Sequence, residues 1–178
     1  MIAFVLAALA LVAVYAAGRS ADDGSSRGSG QESGQESGQG SDGIRTSGVL
    51  DAVTDGDTVR VRTADGTVER VRLLGLDAPE VRGTPECGGD EATGVVADLL
   101  PEGADVVLVA DPTQGDRDRY DRLLRYVETS DGTDVGEAVL AAGWAEVYVF
   151  DDEVERHQAY ARAEESARAQ DRGIWGAC

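Results

Sequence analysis

The chain has 178 residues, which is enough for one domain and little more. Its 34 acidic residues outnumber 16 basic residues, all of them arginine, and the formal net charge is -18. This balance excludes a broadly basic surface that captures nucleic acid over long distances. The acidic, lysine-free composition instead favours a protein that works at high salt, where charges are screened over roughly 3 Å at 1 M.

Residues 1–17 are uncharged and consist mostly of Ala, Leu and Val. Their length is at the lower end of the ~17–25 residues that span a membrane. It also suits the core of a signal peptide, and Ala16 and Ala17 offer small residues for cleavage, although no basic residue precedes the run. A signal peptide and a membrane anchor both place the rest of the chain outside the cytoplasm, either secreted or anchored.

Residues 18–47 form a low-complexity segment with a tandem Ser-Gly-Gln-Glu repeat. This repeat has no apolar face, and such a segment cannot bury enough surface to offset its ordering entropy. We therefore expect a disordered, flexible linker here, and we expect the folded domain to occupy residues 48–178.

A β-hairpin is predicted within residues 58–76. Val59 and Val61 alternate with arginines, and a second β-rich run covers residues 68–76. Asp65-Gly66 favours a two-residue turn, which sets Ala64 opposite Thr67 and Asp57 opposite Leu74.

This register brings Asp57, Arg72, Asp77 and Glu80 to one end of the hairpin. Three carboxylates this close together repel each other unless a positive charge offsets them. A hard cation fits such a cluster, and the Arg72 guanidinium offers a two-pronged contact to a phosphate.

The sequence pattern in the rest of the chain predicts three more strands and three helices. Apolar positions, caps and breakers predict the strands at 48–53, 105–111 and 122–128, and the helices over about 92–100, 134–143 and 152–170. Together with the hairpin, this order predicts an α+β fold, a five-stranded OB-fold β-barrel with three α-helices.

Cys87 and Cys178 are the two cysteines, so one disulfide is possible. An exported protein would favour this bridge. Two free thiols are the alternative.

Three motifs in order, DGDTVRV, RLLGLDAPE and DRYDRLLRYV, resemble the thermonuclease (staphylococcal-nuclease-like) family. The resemblance runs from about Val49 to Cys178. It implies an OB barrel and a calcium-dependent endonuclease that cuts DNA, RNA or both and leaves 5′-hydroxyl and 3′-phosphate ends. The implied partner is a nucleic-acid substrate. Residues 1–17 separately predict a membrane contact if they act as an anchor, and we expect a monomer.

The resemblance also implies a Ca²⁺ site. Asp57 and Asp77 would be its ligands, and Thr58 would contribute its backbone carbonyl. Calcium takes ~6–8 oxygen ligands, so water and a phosphate oxygen would complete the shell. Ala78 stands where some family members have threonine, which removes a hydroxyl beside the metal.

By the same resemblance, Glu80 is the general base, and Arg72 and Arg122 bind the phosphate. Tyr120 and Tyr148 match positions that contact the nucleotide, the latter beneath the base. A cross-strand ion pair for Arg72, a solvated surface position for Arg122 and edge-of-core positions for both tyrosines are the alternatives.

Another class of function fits the same fold. A non-catalytic OB module on a flexible stalk could bind nucleic acid or a protein, and an acidic cell-surface interaction domain is a further alternative. Both leave the cluster of carboxylates and arginines without a role.

Overall fold

The structure, a computed structural model, describes residues 44–150 and 152–178. The predicted signal peptide or anchor, residues 1–17, and residues 18–43 of the predicted linker lie outside the described residues. The first strand begins at Arg45 rather than at Gly48. In the part of the chain that the structure describes, no helix combines the length and apolarity needed to cross a bilayer.

Over the described residues the chain forms seven strands and four helices. In order they are β1 Arg45–Val53, β2 Thr58–Thr63, β3 Val68–Leu73, β4 Leu76–Asp77, α1 Gly89–Leu99, β5 Asp105–Val109, β6 Leu123–Thr129, α2 Val135–Ala142, β7 Glu146–Val147, α3 His157–Arg168 and α4 Ile174–Ala177.

Five strands close into a barrel in the order β1-β2-β3-β6-β5, which confirms the predicted barrel and the α+β class. β3 and β6 pair in parallel, and the other neighbours are antiparallel. Val59, Val61, Val71 and Val127 point inward and are fully buried. Each such side chain contributes about 1.5–3 kcal/mol by leaving water, so the alternating pattern of the sequence fixes which face is core.

Three of the helices correspond to the predicted ones, and α4 is an additional single turn. Asp134 caps α2 as predicted, because its carboxylate accepts the Glu137 N–H at 3.1 Å. The last long helix begins at His157 rather than near Asp152.

The predicted hairpin register is wrong by one residue. The loop has three residues, Ala64 to Gly66, and Thr63 pairs with Thr67 through a 2.9 Å backbone hydrogen bond. Gly66 has φ 88°, which is the left-handed position of a three-residue hairpin loop. Arg72 therefore lies directly opposite Thr58.

A second, two-stranded ribbon lies outside the barrel and was not predicted. Its strands are β4 and β7, in which Asp77 pairs with Glu146 and Leu76 with Val147. The ribbon brings the segment that contains Tyr148 against the end of the hairpin, where the Tyr148 N–H donates to the Gly75 carbonyl at 3.0 Å.

Cys87 and Cys178 form a disulfide with Cα atoms 5.9 Å apart. It joins the loop after β4 to the last residue of the chain. In the chain-entropy account, closing a loop with a separation of 91 residues stabilises the fold by up to roughly 4–5 kcal/mol.

Candidate active site

Asp57 is a buried carboxylate at the start of β2, with the residue 9% exposed. Its Oδ1 accepts the Thr58 hydroxyl at 2.8 Å, and its Oδ2 accepts the Ala78 N–H at 3.3 Å. The Arg72 Nη2 lies 3.1 Å from the same Oδ2. A buried carboxylate needs such partners, because an uncompensated charge away from water is costly.

Arg72 lies between two carboxylates. The same Nη2 that contacts Asp57 also donates to Asp77 Oδ1 at 2.7 Å. Its Nη1 donates to the carbonyls of Leu73 at 2.8 Å and Leu76 at 2.7 Å. The arginine is therefore fixed by four contacts, and it holds the two carboxylates close together.

Arg122 joins this group through Thr58. Its Nη1 donates to the Thr58 hydroxyl oxygen at 3.3 Å, and that hydroxyl donates to Asp57. Its Nε donates to Asp118 at 2.7 Å, and Asp118 also accepts the backbone N–H of Arg122 at 2.9 Å. The predicted phosphate-binding arginines thus flank the buried Asp57 from two sides.

The predicted metal ligand of Thr58, its backbone carbonyl, is used by the turn before β2. That carbonyl accepts the N–H of Thr54 at 2.9 Å and the N–H of Asp55 at 3.2 Å, so both of its lone pairs are engaged. The Thr58 hydroxyl links Arg122 to Asp57, and the metal-ligand role of the Thr58 carbonyl stays a prediction.

Glu80 is exposed, and its backbone is anchored on both sides by Glu86. The Glu80 N–H donates to the Glu86 carboxylate at 3.1 Å, and the Glu86 N–H donates to the Glu80 carbonyl at 2.8 Å. Cys87 follows at once, so the disulfide to Cys178 restrains the loop that carries Glu80.

Asp55 belongs to the same cluster, and sequence reasoning missed it because Asp-Gly-Asp is also ordinary turn chemistry. Burial and the charges of Asp57 and Glu80 raise the pKa of Asp55 to about 6. Burial also raises the pKa of Asp77, together with the Asp57 carboxylate and in spite of Arg72. In the sequence, the two-residue spacing of Asp55 and Asp57 is the signal that indicates repulsion between these two carboxylates.

Gly56, between the two aspartates, packs closely against the side chains of Ala78 and Ala92. A Cβ on Gly56 would come within 2.6 Å of the Ala92 Cβ and 2.7 Å of the Ala78 Cβ. The turn therefore packs tightly on two small side chains, and a side chain at position 56 would displace the loop that carries Asp57.

Tyr120 and Tyr148 are both exposed, by 54% and 44% respectively. The guanidinium of Arg119 stacks on the Tyr120 ring with its Cζ 4.7 Å from the centroid, and Arg122 lies 5.5 Å from the same centroid. Phe150, which sequence reasoning missed, is 69% exposed. None of these rings is part of the core, and all can contact a ligand.

An open cleft of about 400 Å³ borders the cluster. Its lining includes Asp77, Glu86, Glu146, Trp175 and the disulfide. The cleft and the cluster share the exposed carboxylate of Asp77.

The oxygen donors fit a hard cation that is only partly enclosed by protein. Asp57 and Asp77 both contact one nitrogen of Arg72, so their carboxylates lie close together, with that nitrogen between them. Among the described residues no three His, Cys, Asp or Glu side chains form a closed metal site. Water and a phosphate oxygen would have to supply the other ligands, as is usual for Ca²⁺ or Mg²⁺ in open sites.

Comparison with known proteins gives a family match. The family described as Staphylococcal nuclease homologue matches residues 70–177, a range that contains Arg72, Asp77, Glu80 and Arg122 but begins after Asp57.

Several relatives are similar over most of this chain. The SPbeta prophage-derived endonuclease YokF of Bacillus subtilis is 35% identical over 131 residues, which is 71% of this chain and 43% of the relative. Endonuclease YhcR of the same organism is 30% identical over 72% of this chain and 11% of its own length. An uncharacterized endonuclease of Escherichia coli O157:H7 is 33% identical over 69% of this chain and 72% of its own. The chain thus spans less than half the length of the first two relatives.

The pKa of Asp55 predicts a pH-dependent stability. Its folded value of about 6 exceeds the unfolded value of roughly 3.9, so the stabilising effect of the proton is complete below about pH 4 and is lost as pH rises through about 6. In EDTA, Asp55→Asn should be more stable than wild type near pH 8 and equally stable near pH 4. Urea unfolding at both pH values measures this, with the exposed Asp98→Asn as control. A difference that does not change with pH would contradict the prediction.

Proposed function

The chain belongs to the staphylococcal nuclease homologue family, and from this premise we propose that it is a calcium-dependent endonuclease that hydrolyses phosphodiester bonds of DNA, RNA or both. The observation that carries the proposal is the shared contact of Arg72 with Asp57 and Asp77, next to Arg122. Carboxylates for a cation and guanidinium groups for a phosphate lie within one hydrogen-bonded chain of side chains.

The proposed reaction is an in-line attack of water on the phosphodiester. Glu80 orients the water and takes its proton as the new bond to phosphorus forms. The bond from phosphorus to the 5′ oxygen breaks, and that oxygen takes a proton from solvent water to leave as a 5′-hydroxyl, so the phosphate stays on the 3′ end. Glu80 then returns its proton to solvent. Arg72 and Arg122 donate to the non-bridging oxygens, where negative charge grows in the transition state.

We propose Ca²⁺ as the cation and Asp57 and Asp77 as its protein side-chain ligands. When bound, the ion supplies Lewis-acid stabilisation of a phosphate oxygen. It also offsets the charge of the two carboxylates, which leaves the positive charge of Arg72 available to the substrate.

Tyr120 and Tyr148 are proposed as stacking platforms for the nucleotides beside the scissile bond. Their exposure supports this role. Stacking on a ring does not depend on base identity, so the enzyme is expected to tolerate many sequences.

We propose that the protein is monomeric and works outside the cytoplasm, secreted or anchored through residues 1–17. The disulfide between Cys87 and Cys178 supports an oxidising compartment. The net charge of -18 without lysine further suggests adaptation to high salt, where substrate capture relies on contacts at the site itself.

Calcium removal tests the proposed activity. With Ca²⁺, the purified protein should cut plasmid DNA, RNA or both, and excess EGTA should abolish cleavage, because two carboxylates without their cation repel the phosphate. The assay is an agarose-gel digestion over a series of KCl concentrations, and activity is expected to persist at high salt. Cleavage that is undiminished by EGTA would contradict the metal assignment, and no cleavage under any condition would favour a non-catalytic binding module.

Glu80→Gln tests the proposed base. The variant should lower kcat by about 10²–10⁴, since the amide cannot accept the proton from water, whereas its unfolding midpoint should stay close to wild type because Glu80 is exposed. The exposed Glu102→Gln is the matched control and should keep full activity. Wild-type turnover in Glu80→Gln would remove Glu80 from the mechanism.

A further inference from the structure

The outer face of the β2–β3 hairpin carries a row of arginines on an otherwise acidic protein. Arg60 and Arg62 in β2, and Arg70 and Arg72 in β3, alternate with the buried valines of the barrel. Side chains with this period of two all point to the same face, away from the core. The row therefore continues from Arg72 in the proposed active site along the barrel surface.

Arg60 and Arg70 lie directly opposite each other in the antiparallel pair. Cβ atoms of such a pair are roughly 4.5–5.5 Å apart, and like charges there destabilise the sheet. The two guanidinium groups thus share one exposed surface of the barrel. This is the pattern expected where the surface binds an anion.

The carboxylates nearby do not neutralise the row. Asp51 accepts both Arg60 at 2.9 Å and Arg62 at 2.5 Å, so one negative charge is shared by two positive ones. Arg70 forms no ion pair with a carboxylate among the described residues, and it donates only to the Tyr120 carbonyl, at 2.5 Å. Arg72 has carboxylate partners in Asp57 and Asp77, so among the described residues Arg70 is the arginine of the row whose charge no carboxylate offsets.

The spacing between Arg70 and Arg72 can be compared with the spacing of phosphates in a nucleic-acid strand. Arg70 and Arg72 are alternate residues on one strand, so they are roughly 6.6 Å apart along it. Phosphates in one strand of a stacked duplex advance by about 3.4 Å each. Arg70 also holds the backbone of Tyr120, next to the proposed stacking ring.

We propose that Arg60 and Arg70 form a second phosphate-binding site, which holds the phosphodiester backbone of a nucleic-acid strand one or two nucleotides from the scissile phosphate. This inference rests on the proposed function, because it extends the same site along its substrate. It explains how so acidic a protein can retain a polyanion, namely through short-range guanidinium contacts along one line.

Binding of a single-stranded oligonucleotide tests the site without catalysis. Fluorescence anisotropy of a fluorescein-labelled DNA oligonucleotide is measured with the full-length chain in EGTA over a KCl series. Arg70→Gln should bind about threefold to tenfold more weakly. The slope of log K against log salt should become shallower by about 0.7, the contribution of one phosphate contact to a single strand.

Two control variants distinguish the loss of the positive charge of Arg70 from other effects of removing an arginine. Arg70→Lys keeps a point charge that can bind phosphate, so it should keep most of the slope. Arg162→Gln removes an exposed arginine on α3 and should change neither affinity nor slope. Cleavage supplies the second readout. Arg70→Gln should raise KM for the oligonucleotide but leave kcat/KM for a dinucleotide with one phosphodiester unchanged. A merely structural role of Arg70 would not produce this difference between the two substrates.

The outcomes distinguish this site from the proposed function. If wild type cleaves the oligonucleotide and Arg70→Gln matches it in affinity and slope, the second site is overturned and the nuclease stands. If Arg70→Gln shows the shallower slope but wild type cleaves nothing, the site stands and the nuclease is overturned. Equal losses on oligonucleotide and dinucleotide, or no oligonucleotide binding by wild type at any salt, also overturn the second site.

Discussion

The arrangement of the candidate site depends on the contact of one arginine nitrogen with two carboxylates. Arg72 lies between Asp57 and Asp77, and both it and Asp57 are almost completely buried. Removing either partner of such a buried pair leaves an uncompensated charge, at a cost of about 3–5 kcal/mol. The end of the hairpin, the short β4 strand and the turn before β2 therefore have to assemble together. The same assembly leaves Asp77 exposed and the cluster open to a ligand.

The distribution of charge matters more here than its total. The chain is strongly acidic, yet Arg72, Arg122 and the outer row of β2 and β3 lie on one side of the barrel. Because salt screens distant charges within a few Å at high concentration, a ligand at this side meets the local arginines rather than the net charge. An acidic protein and a phosphate ligand are thus compatible, provided that recognition occurs at contact distance.

The periodic features of the fold could be predicted from sequence, whereas the non-local ones could not. Alternating valines and arginines predicted the hairpin and its faces, because a strand with one buried face has a period of two. The register was wrong because it depends on the loop: Gly66 takes a positive φ and makes a three-residue loop, which Asp-Gly also permits. The β4–β7 ribbon joins two-residue strands far apart in sequence, too short for a periodic signal.

The candidate site was predictable in its side chains and not in its backbone. Residue type and order brought Asp57, Arg72 and Asp77 together, but they could not show that the turn before β2 uses the Thr58 carbonyl for its own hydrogen bonds. Asp55 was missed for a related reason: whether a turn aspartate is solvated or pressed against other carboxylates depends on the packing of Gly56 against Ala78 and Ala92.

The most direct measurement is calorimetric titration of Ca²⁺ into the wild-type protein and into Asp57→Asn, with the exposed Asp98→Asn as control. If Asp57 and Asp77 share one cation beside Arg72, Asp57→Asn should weaken calcium binding by at least about tenfold, since one of two carboxylate ligands is lost, and Asp98→Asn should bind as wild type does. Equal calcium affinity in Asp57→Asn and wild type would contradict the account.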